Sequence, residues 1–188
     1  MNLVEKAIIF ATKAHEGQKR KMGNIPYILH PLEVATIIST ISEDEELIAS
    51  GILHDVVEDC GIDPKEIRNE FGSRVYKLVL SDTEDRESKR SAEETWLERK
   101  QDSLLMLENT KDLDVKIMWL ADKLSNMRSI YRKDRVEPDN TFSAFHQKDP
   151  LMHKWYYDTI IKNLVELKDT AAYVELVFLF HKVFDKYN

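Results

Sequence analysis

The chain has 188 residues, 43% hydrophobic and 32% charged, with a formal net charge of -7. That length fits one domain with a real core, and the negative balance argues against a general nucleic-acid binder, which carries a basic face. Five glycines and five prolines are too few for the many tight turns of an all-β fold.

In chain order, Val4, Ala7, Ile8 and Ala11 recur at helical spacing and predict a helix over 2–15, ended by Gly17. The segment carries Glu5 and lacks a basic stretch ahead of an apolar core, so it reads as a mature amphipathic helix rather than a signal peptide. A polar loop from Gln18 to Tyr27 holds the basic cluster Lys19, Arg20 and Lys21. Pro31 suits the first position of a helix, which makes His30 its expected cap, and Leu32, Ala35, Ile38 and Ile41 continue it. Ser42 and Glu45 form a capping-box pattern before a helix carrying Leu47, Ile48, Ile52 and Leu53, which runs into His54-Asp55 and is stopped by Gly61. Asp63-Pro64-x-Glu66 opens another helix that ends before Gly72, and Ser73 to Leu80 is a short one.

The charged stretch from Ser81 to Ser91 predicts an exposed loop. A long helix follows through Trp96, Leu104 and Leu107, and another spans about 112–131. Lys133 to Gln147 is polar and irregular, the best candidate for a mobile loop or one that covers a site. Pro150 starts the C-terminal helices, with Trp155, Ile160, Leu164 and then Val174 to Val183. No credible strand or repeat is visible, and no apolar run reaches membrane-spanning length. The single cysteine, Cys60, forms no intrachain disulfide and fits a reducing compartment, so a cytoplasmic location is expected. The expected architecture is all-α, a single-domain multi-helix bundle.

The chemistry concentrates at His54, Asp55, Glu58 and Asp59. On a continuous helix these four fall within an arc of about 140°. An imidazole and three carboxylates beside apolar neighbours are costly to bury unless paired or bound to a cation, and together they suit a divalent metal; the alternative is a solvated acidic face. Asp122, Asn126 and Ser129 form one stripe of a helix opposite Ile117, Leu120, Leu124, Met127 and Tyr131, facing water or a polar cavity. His30 alone reads equally as a structural hydrogen-bonder. His15, His146, His153 and His181 lack comparable carboxylate clustering and are assigned no metal role.

The order His30, His54-Asp55, Asp122 matches the H…HD…D pattern of the HD phosphohydrolases. GQKRKMGNIPYILHP from Gly17, GILHDVVEDC from Gly51, FGSRVYKLVLSDTEDR from Phe71 and KIMWLADKLSNMRSI from Lys116 resemble the hydrolase domain of RelA/SpoT alarmone enzymes and the small alarmone hydrolases, over roughly residues 4–132. The resemblance implies an HD-type domain over the whole chain, with His30, His54, Asp55 and Asp122 holding a divalent metal, usually manganese; iron or zinc suits the same ligands. It implies Glu58 and Asp59 as the water-activating pair, and Arg20, Lys21, Asn126 and Ser129 as contacts to a guanosine nucleotide. The implied reaction is hydrolysis of the 3′-pyrophosphate of guanosine tetra- or pentaphosphate to GDP or GTP and pyrophosphate, with no nucleic-acid or membrane partner.

The sequence departs from that pattern in two places. The loop from Lys21 to Pro26 is slightly longer than in the bifunctional enzymes, with Met22 where serine is frequent, and FHQKDPLMHKWYYDTI from Phe145 matches them poorly. The competing readings are therefore an HD phosphohydrolase for another nucleotide (a deoxynucleotide, a cyclic nucleotide or NADPH) and a non-catalytic nucleotide-binding module.

Overall fold

The computed structural model describes residues 1–82 and 94–187. Most of the charged stretch expected as a loop after Ser81 lies outside the described residues. The described residues are all-α, with one isolated bridge between Lys19 and Pro26 as their sole β pairing. None of the described helices is long and apolar enough to cross a membrane. The chain forms two compact units, Met1–Thr83 with Asp112–Asp122, and Glu84–Lys111 with Lys123–Asn188.

The first unit contains α1 (Leu3–Ala14), α2 (Leu29–Ser39), α3 (Glu45–Leu53), α4 (Val56–Cys60) and α5 (Pro64–Asp82). It also holds the start of α7 (Leu113–Val136), up to Asp122. Asn2 and Glu5 close a capping box at the start of α1. Ala7, Ala11, Ala35, Ile52, Leu53, Val56, Ile67, Phe71, Val75 and Val79 form a contiguous core. The small Ala7, Ala11 and Ala35 suit close helix approach, and the branched Ile and Val residues fill the space beyond them. Gly72 has φ 91, so α5 is two helical segments meeting at a residue that needs no Cβ, as the sequence predicts. Arg74 ties three segments together through Asp44, Glu46 and Asp114, at 2.7–3.0 Å.

Three expectations in this unit need correction. His30 is not a cap: α2 begins at Leu29, so His30 and Pro31 are both buried in its first turn. The cap of α3 is Asp44, whose carboxylate accepts from the Glu46 and Leu47 amides, while Ser42 accepts from Asp44 itself. Both are cap-competent residues, and the one nearer the helix has the reach. Finally, no continuous helix runs through His54-Asp55. α3 stops at Leu53, the dipeptide forms a turn, and α4 begins at Val56.

The second unit contains α6 (Trp96–Asn109), the remainder of α7, α8 (Pro150–Asn163) and α9 (Ala171–Phe184). Asp149 caps α8 ahead of Pro150. The stretch expected as a mobile loop or one that covers a site is largely ordered by packing. α7 continues to Val136, a 3-10 turn spans Pro138–Asn140, and Thr141 and Phe142 are buried. Phe142 stacks on His153 and Phe184 at 4.6 and 5.7 Å between ring centroids. The Thr141 hydroxyl donates to the buried Asp134, which also pairs with Lys186. A polar segment is pinned here by one aromatic and one hydroxyl.

Candidate metal centre

Four expected ligands converge within the first unit. His30 comes from the first turn of α2, His54 and Asp55 from the turn between α3 and α4, and Asp122 from α7. One ligand atom each of His30, His54 and Asp122 lies within 4.8 Å of the others, and all three residues are buried. His30 Nε2 is 3.0 Å from Asp122 Oδ1 and 3.5 Å from Asp55 Oδ2. His54 Nε2 is 3.0 Å from Asp55 Oδ2 and 3.7 Å from Asp122 Oδ1. Asp122, which its helical stripe left open to water, is only 5% exposed, because Ile117 through Ala121 are buried as a continuous run on several sides of α7.

The protonation pattern suits a cation. His54 Nδ1 donates to the Gly51 carbonyl at 2.8 Å, which in the neutral ring leaves the lone pair on Nε2. Nε2 is buried and makes no hydrogen bond, although carboxylate oxygens crowd it. An orphaned buried nitrogen facing carboxylates is a site built for something the polypeptide does not supply. Burial pulls the His54 imidazole down, but the Asp55 and Asp122 carboxylates outweigh it and hold it well above its usual value. Burial likewise opposes ionisation of Asp55, yet the facing His54 holds its carboxyl far below the usual range. His30 shifts the other way, because burial exceeds the pull of Asp122 and Asp55. The field at His54 Nε2 therefore favours positive charge, and two imidazoles and two carboxylates together are a donor set that suits a divalent transition metal.

Glu58 and Asp59 sit half-buried in α4, directly after the ligand turn. The Asp59 amide donates to the Asp55 carbonyl at 2.8 Å, so ligand and acid are joined by one backbone turn. Arg20 lies in the preceding loop, its amide bonded to the Ile25 carbonyl and its guanidinium 5.4 Å from the Tyr27 ring centroid. Lys21 is exposed in the turn that follows. Asn126 and Ser129 are half-buried on α7 in the second unit, where the Ser129 hydroxyl accepts from Arg132.

Sequence reasoning missed Tyr27. Its hydroxyl is 2.8 Å from Asp55 Oδ2 and 2.8 Å from Asp59 Oδ2. Burial first, and then the Asp55 and Asp59 charges, push this phenol far above its usual range, so it remains a donor. The available signal was position alone, three residues before His30 at the end of the basic loop. His15 packs against the Tyr27 ring and contacts Gln18 and Cys60. Burial, with Asp59 nearby, pushes the Cys60 thiol up to about 11, which makes it a packing group rather than a nucleophile. In the second unit, a cavity of about 520 Å³ is lined by residues including Thr141, Phe142, Lys148 and Lys186, and none of the expected site residues lines it.

A family profile described as HD domain matches residues 7–145. The chain belongs to the HD-domain family. Among relatives of this HD-domain chain, guanosine-3′,5′-bis(diphosphate) 3′-pyrophosphohydrolase of Aquifex aeolicus is 37% identical over 128 residues, covering 68% of this chain and 18% of the relative. GTP pyrophosphokinase of Streptomyces coelicolor is 34% identical over 175 residues, covering 92% of this chain and 20% of the relative. The chain thus spans about a fifth of the length of the curated relatives it matches. A crystal structure from Listeria monocytogenes EGD-e superposes with a TM-score of 0.71 at 32% identity, covering 87% of this chain and 98% of that one. The fold is also shared with a metazoan ortholog of SpoT that hydrolyzes ppGpp, at a TM-score of 0.77 and 23% identity, covering 97% and 96% of the two chains.

Proposed function

We propose that this HD-domain chain hydrolyses the 3′-pyrophosphate of guanosine tetra- or pentaphosphate, giving GDP or GTP and pyrophosphate. The observation that carries the reading is the buried, unbonded His54 Nε2 facing His30, Asp55 and Asp122, together with relatives named for this activity. His30, His54, Asp55 and Asp122 are the proposed ligands, with manganese as the working metal. When bound, such a cation polarises a phosphate oxygen and lowers the pKa of water.

The chain's own residues supply the rest. Glu58 and Asp59 orient the attacking water and accept its proton. The water oxygen bonds to the phosphorus attached to O3′, the P–O3′ bond breaks, and O3′ leaves with a proton. Arg20 and Lys21 offset the charge of the polyphosphate, arginine by paired hydrogen bonds to its oxygens. Asn126 and Ser129 are proposed substrate contacts. The net charge of -7 supports a small nucleotide rather than nucleic acid as substrate, and the cytoplasm is the proposed setting.

The test is pyrophosphate release from guanosine tetraphosphate by purified protein with and without Mn²⁺. Release that requires metal supports the assignment. A metal-loaded protein that ignores this nucleotide but cleaves a deoxynucleotide, cyclic nucleotide or NADPH keeps the hydrolytic centre and overturns the substrate. A loaded protein inert to the whole panel favours a non-catalytic module.

A further inference from the structure

We propose that Tyr27 is the positioning residue of this centre: its hydroxyl ties the ligand carboxylate of Asp55 to the water-activating carboxylate of Asp59. The proposal rests on the metal-centre reading above and assigns a role to a residue outside its ligand and water-activating sets.

Asp55 and Asp59 are already joined through the main chain by the Asp59 amide and the Asp55 carbonyl. That bond fixes the backbone and leaves two side-chain torsions of each aspartate to be set by other contacts. Tyr27 reaches both carboxylates from a different segment, 2.8 Å from an oxygen of each. The phenol has one proton and donates to one carboxylate at a time, so a hydroxyl shared between the two limits the swing of each, as residues supporting a metal site do.

The tyrosine is itself held on several sides. Its amide donates to the Gln18 carbonyl, and its carbonyl accepts from the His30 amide, both at 2.9 Å. Its ring stacks on His15 at 4.7 Å and meets His30 edge-on at 5.9 Å. Gln18, at the other end of the same loop, donates its side-chain amide to the Asp59 carbonyl at 3.0 Å. The loop therefore grips α4 at both ends. Because Arg20 lies over the Tyr27 ring, the group that meets the phosphates and the group that meets the water share one anchor. This links substrate placement to water placement through the tyrosine.

Tyr27→Phe removes the hydroxyl and keeps the ring that His15 and Arg20 pack on. The expected result is a folded protein, checked by circular dichroism, with Mn²⁺ affinity weakened about 10-fold by titration. At saturating Mn²⁺, kcat for pyrophosphate release should fall roughly 10- to 100-fold, with KM within about 3-fold. In the double variant Tyr27→Phe with Asp59→Ala, the loss should equal that of Asp59→Ala alone, because the tyrosine acts through that carboxylate. Unchanged Mn²⁺ affinity and kcat in Tyr27→Phe, or losses that multiply in the double variant, overturn the proposal. If Tyr27→Phe loses its helical signal, the same cycle is run with Tyr27→Trp, which keeps an aromatic ring. A wild-type protein inactive on guanosine tetraphosphate overturns the substrate assignment alone, since the Mn²⁺ titration still reads the tyrosine. A wild-type protein that binds no Mn²⁺ overturns both.

Discussion

His54 Nδ1 donates to the Gly51 carbonyl at 2.8 Å, so the tautomer of a proposed metal ligand is set by a glycine three residues earlier. Gly51 is buried, and a Cβ there would collide with Ile38 Cδ1 and press on Val34 Cγ1. Ile38 is itself fully buried and has little room to yield. Gly51→Ala should therefore destabilise the protein by about 1–3 kcal/mol, the usual cost of overpacking a filled core. Urea unfolding measures it, and a loss under about 0.5 kcal/mol would show that Ile38 repacks freely.

The proposed ligand and water-activating roles separate by variant. Asp55→Ala should abolish both stoichiometric metal, measured by mass spectrometry, and turnover. Glu58→Ala should retain the metal and lose about 10²- to 10⁴-fold in rate, the range for a general acid or base. Turnover by a verified metal-free Asp55→Ala protein would sink the metal mechanism.

Metal removal should also register as lost stability. With free Mn²⁺ at 100 times its dissociation constant, the holo form gains about 2.7 kcal/mol over the apo form. A melting temperature unmoved by Mn²⁺ or by chelator would count against a site among these buried groups.

Much of this centre was legible in the sequence because the order of its residues is restrictive. Each of His30, His54, Asp55 and Asp122 had a structural alternative when read alone, and their order, matched to the HD pattern, is what brought them together as a candidate cation site. The break at His54-Asp55 was not legible, because Val56 and Val57 prolong the apolar character of Ile52 and Leu53. Tyr27 was hidden for another reason. Its placement depends on a turn in which Gly23 and Asn24 take positive φ values of 92 and 52, and no periodicity encodes that. Phe142 was hidden inside a polar stretch, where one buried aromatic outweighs many solvated neighbours. In α7, the stripe holding Asp122 left water and a polar cavity equally open, because an amphipathic pattern carries no information about what covers the polar side of a helix; Asp122 proves to be buried.

Arg74 gathers Asp44, Glu46 and Asp114. Each of these side chains is roughly a third to two-fifths exposed, so water screens the attraction. Arg74→Ala should cost about 1 kcal/mol at low salt, and less in 1 M salt, where surface charges are screened within about 3 Å. A cost that is insensitive to salt would assign the arginine's contribution to packing instead.

His153 sets a pH dependence in the second unit. Burial holds its imidazole below its usual value, against the pull of the Gln147 carbonyl to which it donates. The unfolded chain then binds the proton more readily than the folded one. Stability from this residue is complete above the unfolded value of about 6.5 and is lost as pH falls through that value toward the folded one. His153→Phe keeps a ring against Phe142 and should flatten that part of the stability profile below about pH 6.5. An unchanged slope would place the acid sensitivity elsewhere.

The turn between α3 and α4 has a further consequence for spacing. His54 and Asp55 are the only residues between the two helices, and each helical residue advances the chain by about 100° and 1.5 Å. Inserting or deleting one residue between Leu53 and Val56 would rotate one helix face out of phase with the other. Both helices could still bury apolar side chains, but His54 could no longer meet Gly51 and His30 while Asp59 met Tyr27. The dipeptide is thus a length standard as well as a pair of proposed ligands, and the centre's tolerance of change is narrower for chain length here than for side-chain identity in the loops around it.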